Sequence, residues 1–397
     1  MKYILLVPDG AADLPCDELD GKTPLEAAKT PHLDRLAETG RVGAVQVTPP
    51  EMYPGSDAAN MALLGYDPRK YYTGRGPIEA AAMDIPLNEK DVAFRCSIIS
   101  TDGTNLLDYS AGHITTEEAR PIIALANDKL ATRAMRLFPG VSYRHILRWT
   151  DGPVDVKTSP PHENMGKPLR EIYPEGEGDT KIRAFIEDSL NLLDDLPFNR
   201  ERRAEGKLPA NMLWLWSPGR TPVMPSFFRK RQMTGAVVSA VDVVRGLGKL
   251  TGLEIVNVPG ATGYFDTNYA GKGLYALAAL ERHDFVWVHV ESPDEAGHAG
   301  SIEEKIRGIE NFDKHIVGQM VAMLKERKEP FRILCAPDHM TPVSTRGHKI
   351  GPVPYLLYDS EMPLRREVLP YDERALLETK TLFEDGYRLI DELFKAE

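Results

Sequence analysis

Residues 285–298, FVWVHVESPDEAGH, contain the pattern that indicates the fold class most clearly. Its first part, residues 285–290, is a short, continuous apolar run, which is typical of a strand covered by helices on both faces of a sheet. The strand ends abruptly in a polar segment that carries Asp294 and His298, four residues apart. This spacing brings both side chains to one face of a first helical turn. We therefore expect an α/β sheet with potential metal ligands at the end of one strand.

Two further candidate strands end in the same way. Residues 3–7 run into Asp9, and residues 331–336 run into the pair Asp338 and His339. In open α/β sheets the ligand crevice lies at the carboxyl ends of the strands. The three strand ends are therefore expected to bring their carboxylates to one place.

The ligand types at these strand ends indicate divalent ions. Carboxylate and imidazole groups together suit a transition ion such as Mn²⁺ or Zn²⁺. One catalytic ion needs about three protein ligands and an open position, so two ions roughly 4 Å apart are the simplest interpretation. The candidate metal ligands are Asp9, Asp294, His298, Asp338, His339 and His348.

A serine in the setting of a nucleophile lies in the segment PGSDAAN, residues 54–60. Ser56 follows a glycine at the start of a predicted helix over residues 56–64, where serine is a common N-cap. The same position offers backbone N–H groups and a positive dipole end to a phosphate. A nearby metal ion would lower the pKa of the hydroxyl and make it a nucleophile. We expect Ser56 to carry a phosphoryl group transiently, and the alternative is a helix cap without a catalytic role.

The length of 397 residues and the order of elements predict two domains. The α/β pattern at both ends of the chain predicts a core formed by residues 1–85 and 198–397. Between these segments, residues 86–197 alternate strand-like and helical pieces, which suits an inserted α+β domain. The other predicted elements are a helix over residues 23–38 broken at Pro31, strands over 43–47, 93–100, 141–149, 211–216 and 254–258, and helices over 116–136, 180–193, 302–325 and 378–395.

Composition excludes several classes of function. Hydrophobic residues make up 42% and charged residues 27% of the chain, as in ordinary globular proteins. The net charge of −11 repels phosphate backbones, so we expect no nucleic-acid partner and a locally positive phosphate site. No apolar run is long enough for a membrane span, and the first residues are apolar too briefly for a signal peptide. The distant cysteines Cys16, Cys96 and Cys335 suggest free thiols and a cytoplasmic protein without a membrane partner.

Seven short motifs together resemble one known family. They are PDG at 8–10, GKTPLEAA at 21–28, PGSD at 54–57, LGYDP at 64–68, YTGRGPIEA at 72–80, PDEAGH at 293–298 and PDH at 337–339. With these motifs the chain resembles the cofactor-independent phosphoglycerate mutases of the archaeal type, within the alkaline phosphatase superfamily. The resemblance extends over essentially the whole chain.

This resemblance implies an alkaline-phosphatase-like core, in which a mixed, mostly parallel sheet is flanked by helices, and a smaller inserted α+β domain that covers the substrate. It implies a glycolytic and gluconeogenic enzyme that moves the phosphoryl group of 3-phosphoglycerate to Ser56 and back to the 2-hydroxyl. It also implies two bound divalent ions, which are expected to be Mn²⁺, with Zn²⁺, Mg²⁺ or Co²⁺ as alternatives. The family pattern implies one ion on Asp294, His298 and His348, and the other on Asp9, Ser56, Asp338 and His339.

Basic side chains should hold the carboxylate and phosphate of the substrate. By resemblance the candidates are Arg75, Arg95, Arg144 and Lys272, with His113 as a proton carrier. The alternative for each is an ordinary salt bridge.

Three other functions are consistent with the same residues. The first is a phosphotransferase of this family that phosphorylates another small substrate such as homoserine, because the segment DYSAGHIT at 108–115 is less basic than the resemblance to archaeal enzymes implies. No Walker-type loop for ATP is present in the sequence. The second is a metal-dependent phosphomonoesterase, which unlike a mutase would not need to exclude water. The third is a phosphate-binding protein that has lost catalysis, and the presence of Ser56 argues against it.

Overall fold

Residues 1–362, 369–379 and 382–395 are described in this computed structural model. The strands are β1 (Lys2–Pro8), β2 (Arg41–Val45), β3 (Asp91–Thr101), β4 (Leu106–Asp108), β5 (Met135–Phe138), β6 (Arg144–Thr150), β7 (Val156–Lys157), β8 (Glu175–Gly176), β9 (Met212–Gly219), β10 (Gly235–Val238), β11 (Glu254–Val256), β12 (Phe285–Val290), β13 (Phe331–Cys335), β14 (Val353–Asp359) and β15 (Leu382–Phe383).

The helices alternate with these strands along most of the chain. They are α1 (Pro24–Ala27), α2 (Pro31–Ala37), α3 (Ser56–Leu63), α4 (Pro68–Tyr71), α5 (Arg75–Ala82), α6 (Thr116–Lys129), α7 (Leu169–Ile172), α8 (Asp179–Leu193), α9 (Pro197–Ala204), α10 (Phe227–Arg231), α11 (Asp242–Leu250), α12 (Tyr269–Leu280), α13 (Ser292–Ala299), α14 (Ile302–Phe312), α15 (Gln319–Glu326), α16 (Arg374–Glu378) and α17 (Leu389–Phe394), with a π-turn over Asp313–Gly318 and 3₁₀ turns over Asp17–Leu19, Pro161–Glu163 and Gly386–Arg388. None of the helices in the described ranges is long and apolar enough to cross a membrane.

The chain forms two compact units. Met1–Tyr72 and Met224–Glu397 make up the first unit, and Thr73–Val223 makes up the second. The second unit is longer at both ends than the predicted segment 86–197, because α5 and β9 pack against β3. A boundary drawn from polar and Pro/Gly-rich segments does not detect these longer-range contacts.

The first unit contains a mixed, mostly parallel sheet with the strand order β11-β10-β12-β1-β13-β14-β2-β15. Strands β11, β10, β12, β1 and β13 run parallel, whereas β14 is antiparallel to both of its neighbours. Ile4, Leu5, Leu6 and Val7 in the central strand β1 are all 0% exposed. Since successive side chains of a strand point to opposite faces, both faces of the sheet are covered. This arrangement confirms the predicted fold class.

The second unit contains an antiparallel sheet with the order β4-β3-β6-β5, and β9 pairs with β3. Helices α6 and α8 pack on each other, and α8 packs on β9. The assignment of residues 211–216 to the core domain was wrong, because this strand pairs with β3 inside the second unit. Its buried run Met212, Leu213 and Trp214 has the composition of any fully covered strand, whether parallel or antiparallel.

Two of the predicted helices are interrupted. The helix expected over 302–325 contains the π-turn, whose Asp313 carboxylate accepts hydrogen bonds from the backbone N–H groups of Leu33 (2.7 Å) and His32 (3.2 Å). The prediction of a helix over 378–395 was wrong in its first part, because β15 pairs with β2 there and α17 begins only at Leu389. Residues 380–381 of that prediction lie outside the described residues.

A third predicted helix, over 116–136, is shorter than expected. It ends at Lys129, and β5, which begins at Met135, pairs with β6. The break expected at Pro31 is confirmed, since α1 ends at Ala27 and α2 begins at the proline.

Candidate active site

The three predicted strand ends lie side by side in the first unit. Strand β1 is flanked by β12 and β13, and it is parallel to both. Val7 is opposite His289, and Leu6 is opposite Cys335. Because parallel strands end at the same edge of a sheet, the carboxylates that follow them meet there. The predicted convergence of the three strand ends is confirmed.

One group of potential ligands consists of Asp294, His298 and His348. Asp294 Oδ2 lies 3.2 Å from His298 Nε2, and Asp294 Oδ1 lies 3.4 Å from His348 Nε2. The two Nε2 atoms are 3.1 Å apart. His298 Nδ1 lies 3.0 Å from the carbonyl oxygen of Arg346, so this nitrogen donates and the ring is held with Nε2 toward the group. Helix α13 supplies the aspartate and the first histidine at the predicted spacing of four.

Asp294 and His298 in this group each stabilise the charged form of the other. Although burial raises it, His298 and His348 hold the pKa of Asp294 well below its usual range. Burial lowers the pKa of His298, but the Asp294 carboxylate outweighs that effect and raises it to about 9. An anionic carboxylate that attracts positive charge on its neighbours is an electrostatic environment suited to a cation.

A second group contains Asp9, Ser56, Asp338 and His339. His339 Nε2 lies 3.4 Å from Asp9 Oδ1, 3.4 Å from Asp338 Oδ2 and 3.2 Å from Ser56 Oγ. Asn60 Nδ2 donates to Asp338 Oδ2 over 2.7 Å and so fixes that carboxylate. Both aspartates and the histidine are at least 98% buried, and the serine is 6% exposed.

Ser56 is the first residue of α3, and Gly55 is the N-cap. The expectation that Ser56 itself caps the helix was wrong, because Ser56 is already helical and the residue before it takes the cap position. Gly55 takes the extended conformation that a cap requires, with φ −80° and ψ 153°. The hydroxyl is therefore free to face His339 while it stays at the positive end of the helix dipole.

Asp9 has the most crowded acidic environment in the site. Burial, followed by the charges of Asp338 and Glu291, raises the pKa of Asp9 well above its usual range. Burial and the charge of Asp294 raise the pKa of Glu291 to about 8. Within the described ranges, no donor forms a hydrogen bond with Asp9 Oδ1, although this oxygen is buried. Buried oxygens of this kind are costly unless a proton or a cation neutralises them.

Besides the group of Asp294, His298 and His348, three overlapping sets of side chains among the described residues could each hold a metal ion. Within each set the ligand atoms lie within 4.8 Å of one another. The sets are Asp294 with His339 and His348, Asp9 with Asp338 and His339, and Asp9 with His289 and Glu291. Carboxylate and imidazole donors, together with the unpaired Asp9 oxygen, fit a divalent transition ion.

The site also contains residues that the sequence reasoning did not select. His289 donates to Asp9 Oδ2, but it lies inside a run that reads as apolar. Asn60 follows Ser56 by one helical turn, which is the one signal that could have identified it. Glu291 follows β12 directly and Thr341 lies two residues after His339, yet polar residues are common in such segments and neither stands out.

The predicted substrate-binding arginines lie in the second unit, where they form a cluster. Arg75 Nε donates to Glu79 Oε1 over 2.6 Å, and Arg95 Nη1 donates to the same oxygen. Although burial raises it, the charges of Arg95, Arg75 and Arg144 hold the pKa of Glu79 below its usual value. Arg95 also lies over the ring of Trp216 at 4.8 Å. Three cations around one carboxylate leave an excess of positive charge, as a phosphate or carboxylate ligand requires.

Two other predicted residues have different surroundings. His113 of the second unit is exposed, its φ is 55°, and its ring lies 6.4 Å from that of Tyr109. Lys272 of the first unit is 0% exposed and donates to the carbonyl oxygen of His289 over 3.0 Å. Burial lowers the pKa of Lys272 to about 8. The contacts of these two residues with substrate stay predictions, as do those of the arginines.

Comparison with known proteins gives a family assignment. A family model described as 2,3-bisphosphoglycerate-independent phosphoglycerate mutase matches residues 37–199. A protein of Geobacter sulfurreducens named as a probable member is 46% identical over 395 residues, which cover 98% of this chain and 99% of that protein. One from Methanothrix thermoacetophila with the same family name is 47% identical over 360 residues, or 91% of each chain. The chain belongs to this family.

Solved structures agree with the assignment to the phosphoglycerate mutase family. The structure of the PH0037 protein of Pyrococcus horikoshii matches with a TM-score of 0.81 and 29% identity, and the match covers 100% of this chain and 98% of that protein. The cofactor-independent phosphoglycerate mutase of Thermoplasma acidophilum has a TM-score of 0.62 and 28% identity over 99% of both chains. The resemblance found in the sequence motifs is therefore confirmed.

The ligand pattern implied by the mutase family can be compared with the observed distances. Asp294, His298 and His348 form one compact group, as that pattern requires. His339 is close enough to belong to either group, because it also forms a set with Asp294 and His348. Which side chains share an ion stays a prediction.

Proposed function

We propose that this chain interconverts 3-phosphoglycerate and 2-phosphoglycerate through a phosphoserine at Ser56. The observation that carries the proposal is the position of the Ser56 hydroxyl, 3.2 Å from His339 Nε2, a nitrogen that itself lies 3.4 Å from an oxygen of each of two buried carboxylates. An isolated cap serine would not have such neighbours. Membership of the mutase family supports the choice of substrate.

The side chains of the two ligand groups have separate roles in this proposal. Asp294, His298 and His348 hold one divalent ion, and Asp9, Asp338 and His339 hold a second beside Ser56. Bound ions of this kind lower the pKa of a nearby hydroxyl and neutralise charge on the transferring phosphoryl oxygens. We propose Mn²⁺ as the ion, as the resemblance to the family implies; the carboxylate donors suit Mn²⁺, and the imidazole donors also suit Zn²⁺.

Ser56 carries the phosphoryl group between two hydroxyls of the same glycerate. In the first half, a bond forms between Ser56 Oγ and phosphorus, and the bond from phosphorus to the 3-oxygen of glycerate breaks. The proton lost by the serine balances the proton gained by the glycerate oxygen. In the second half, the 2-hydroxyl attacks phosphorus, the Oγ–phosphorus bond breaks, and Ser56 regains a proton.

The position of Ser56 at the start of α3 favours this role. The first backbone N–H groups of a helix have no partner within it, and they can donate to phosphoryl oxygens. Asn60 Nδ2 bonds the Ser56 carbonyl oxygen over 2.9 Å, so the first turn is fixed in place. The nucleophile therefore needs little rearrangement before attack.

The arginine cluster of the second unit has the chemistry to bind the substrate anions. Glu79 holds Arg75 and Arg95 in fixed orientations, which lowers the entropy lost when they bind a planar carboxylate or a phosphate. We propose that Arg75, Arg95 and Arg144 contact the substrate and that His113 is a proton carrier.

Mass spectrometry of the acid-quenched protein tests the carrier role. The Mn²⁺-loaded chain is mixed with 3-phosphoglycerate, and the peptide that contains Ser56 is examined for one added phosphoryl group. We expect this group in the wild type, its absence in Ser56→Ala, and loss of turnover in that variant. Ser226→Ala is the matched control, because Ser226 is a helix-cap serine of the same unit whose side chain bonds Arg229 N. Near-normal turnover in Ser56→Ala would refute the proposal.

A further inference from the structure

The side chain of Thr341 lies between the two ligand groups. Its Oγ1 donates to Asp294 Oδ1 over 2.5 Å and lies 3.1 Å from His339 Nδ1. The residue is 0% exposed. One hydroxyl therefore contacts a ligand of each group.

The number of protons available fixes the direction of both hydrogen bonds. A hydroxyl has one proton, and the unprotonated Asp294 carboxylate can only accept it. Thr341 Oγ1 must then act as the acceptor toward His339, so Nδ1 of that ring carries the hydrogen. In a neutral imidazole the other nitrogen, Nε2, is left with a free lone pair.

The free lone pair of His339 faces the Ser56 hydroxyl, 3.2 Å away, and two carboxylate oxygens. Nε2 is 3.4 Å from Asp9 Oδ1 and 3.4 Å from Asp338 Oδ2. The serine proton can satisfy this lone pair in the absence of metal, but the two carboxylate oxygens repel it, and a cation placed among the three ligands would remove that repulsion. The tautomer set by Thr341 therefore prepares Nε2 to bind an ion and not to donate a hydrogen bond.

The backbone of Thr341 is held firmly enough to keep the hydroxyl in place. Its N–H donates to the carbonyl oxygen of Ala12 over 3.2 Å, and its carbonyl oxygen accepts from Lys305 Nζ over 2.8 Å. A Cβ added at Gly297 would lie 2.2 Å from that carbonyl oxygen. The helix that carries Asp294 can therefore approach Thr341 only because a glycine stands there.

We propose that Thr341 is a positioning residue that fixes the His339 tautomer and orients Asp294, and so couples the two ion sites. The inference rests on the proposed function, since it needs both groups to bind ions. In many proteins, side chains that hydrogen-bond a metal ligand orient that ligand, and their loss weakens metal binding about 10- to 100-fold.

Cobalt titration tests, without reference to activity, whether loss of the Thr341 hydroxyl weakens both ion sites. Co²⁺ is added to the metal-free protein, and both stoichiometry and affinity are followed by visible absorption. For Thr341→Val, which has the same shape but no hydroxyl, we expect binding about 10- to 100-fold weaker at both sites. Thr341→Ser keeps the hydroxyl and should bind as the wild type does. Thr251→Val is the matched control, because Thr251 is also buried and its hydroxyl donates to the carbonyl oxygen of Leu247.

The tautomer itself can be observed by nitrogen NMR of ¹⁵N-histidine-labelled, metal-free protein. We expect the hydrogen of the His339 ring on Nδ1 in the wild type and in Thr341→Ser, and a redistribution toward Nε2 in Thr341→Val. A hydrogen on Nε2 in the wild type, or unchanged Co²⁺ binding in Thr341→Val, would overturn the inference. If the wild type bound no Co²⁺, the two-ion proposal would fail instead, so the two failures are distinguishable.

Discussion

His289 Nε2 lies 2.8 Å from Asp9 Oδ2, and neither side chain is exposed to solvent. Burial lowers the pKa of His289 to about 3, so the ring is neutral at pH 7. Its Nδ1 lies 3.4 Å from Ser239 Oγ, which leaves the ring hydrogen on Nε2 for Asp9. One oxygen of Asp9 is thus occupied by a hydrogen bond, and the other is available to an ion.

Replacement of His289 should weaken metal binding without removing a ligand from either proposed ion. His289→Phe leaves Asp9 Oδ2 buried without its donor, at a cost of about 1–3 kcal/mol in the free energy of unfolding. We also expect Mn²⁺ affinity to fall about 10-fold, measured by calorimetry. His289→Gln keeps an N–H donor and should recover most of the affinity. Equal affinities for the phenylalanine variant and the wild type would contradict an orienting role.

The buried ion pair of Lys305 and Asp13 should stabilise the loop that follows Asp9. Lys305 Nζ lies 2.6 Å from Asp13 Oδ2, and both side chains are almost fully buried. Lys305→Met should lower the free energy of unfolding by about 3–5 kcal/mol, because an unpaired carboxylate remains. The double variant with Asp13→Asn should lose less than the sum of the two single changes. Urea denaturation measures each value.

An exposed lysine provides the control for this cycle. Lys325→Met, on α15, should change stability by less than about 0.5 kcal/mol. Strictly additive losses in the Lys305 and Asp13 variants would show that the pair is not coupled.

Glu373 should make stability depend on pH. Burial raises the pKa of Glu373 from its ordinary value of 4.5 to about 7. The folded state then binds a proton more tightly than the unfolded state, so stability is greatest below about pH 4.5 and falls as the pH rises through about 7. From the size of this shift, the loss attributable to Glu373 is up to roughly 3 kcal/mol.

Glu373→Gln isolates this effect from other titrating groups. The amide cannot ionise, but it keeps an oxygen for the backbone N–H of Asp13, which Glu373 Oε1 accepts over 2.9 Å. Urea denaturation of metal-free protein at pH 5 and pH 8 should therefore show a smaller difference for the variant than for the wild type. If both proteins lost the same stability over this interval, Glu373 would not be its source.

Removal of metal should abolish activity and lower stability together. An excess of chelator leaves Asp9 Oδ1 and the neighbouring carboxylates uncompensated, so we expect no turnover and a lower melting temperature. Added Mn²⁺ should restore both properties. Full activity in excess chelator would contradict the two-ion account.

The sequence predicted the parts of the site that follow from strand order. Strand β12 has the predicted bounds, and the acidic ends of β1, β12 and β13 converge because these strands are neighbours. A local pattern suffices here, since a buried strand with a polar end has few other interpretations in an α/β fold.

Features that depend on tertiary contacts were not predictable in the same way. His289 was not identified as a site residue because it lies within an apolar run and its partner, Asp9, is distant in the sequence. The N-cap of α3 was predicted at Ser56 but is Gly55 in the structure, since serine and glycine are both acceptable at an N-cap by local preference. Strand β9 was assigned to the wrong unit because nothing in its own residues specifies pairing with β3.

Phosphorus NMR of the Mn²⁺-loaded protein with 3-phosphoglycerate, without bisphosphoglycerate or nucleotide, is the direct test of the proposed mutase reaction. We expect the signal of 2-phosphoglycerate to appear and to reach a constant ratio to that of the substrate, with no release of inorganic phosphate. Inorganic phosphate alone would indicate a phosphomonoesterase, and an unchanged substrate signal would contradict the mutase assignment.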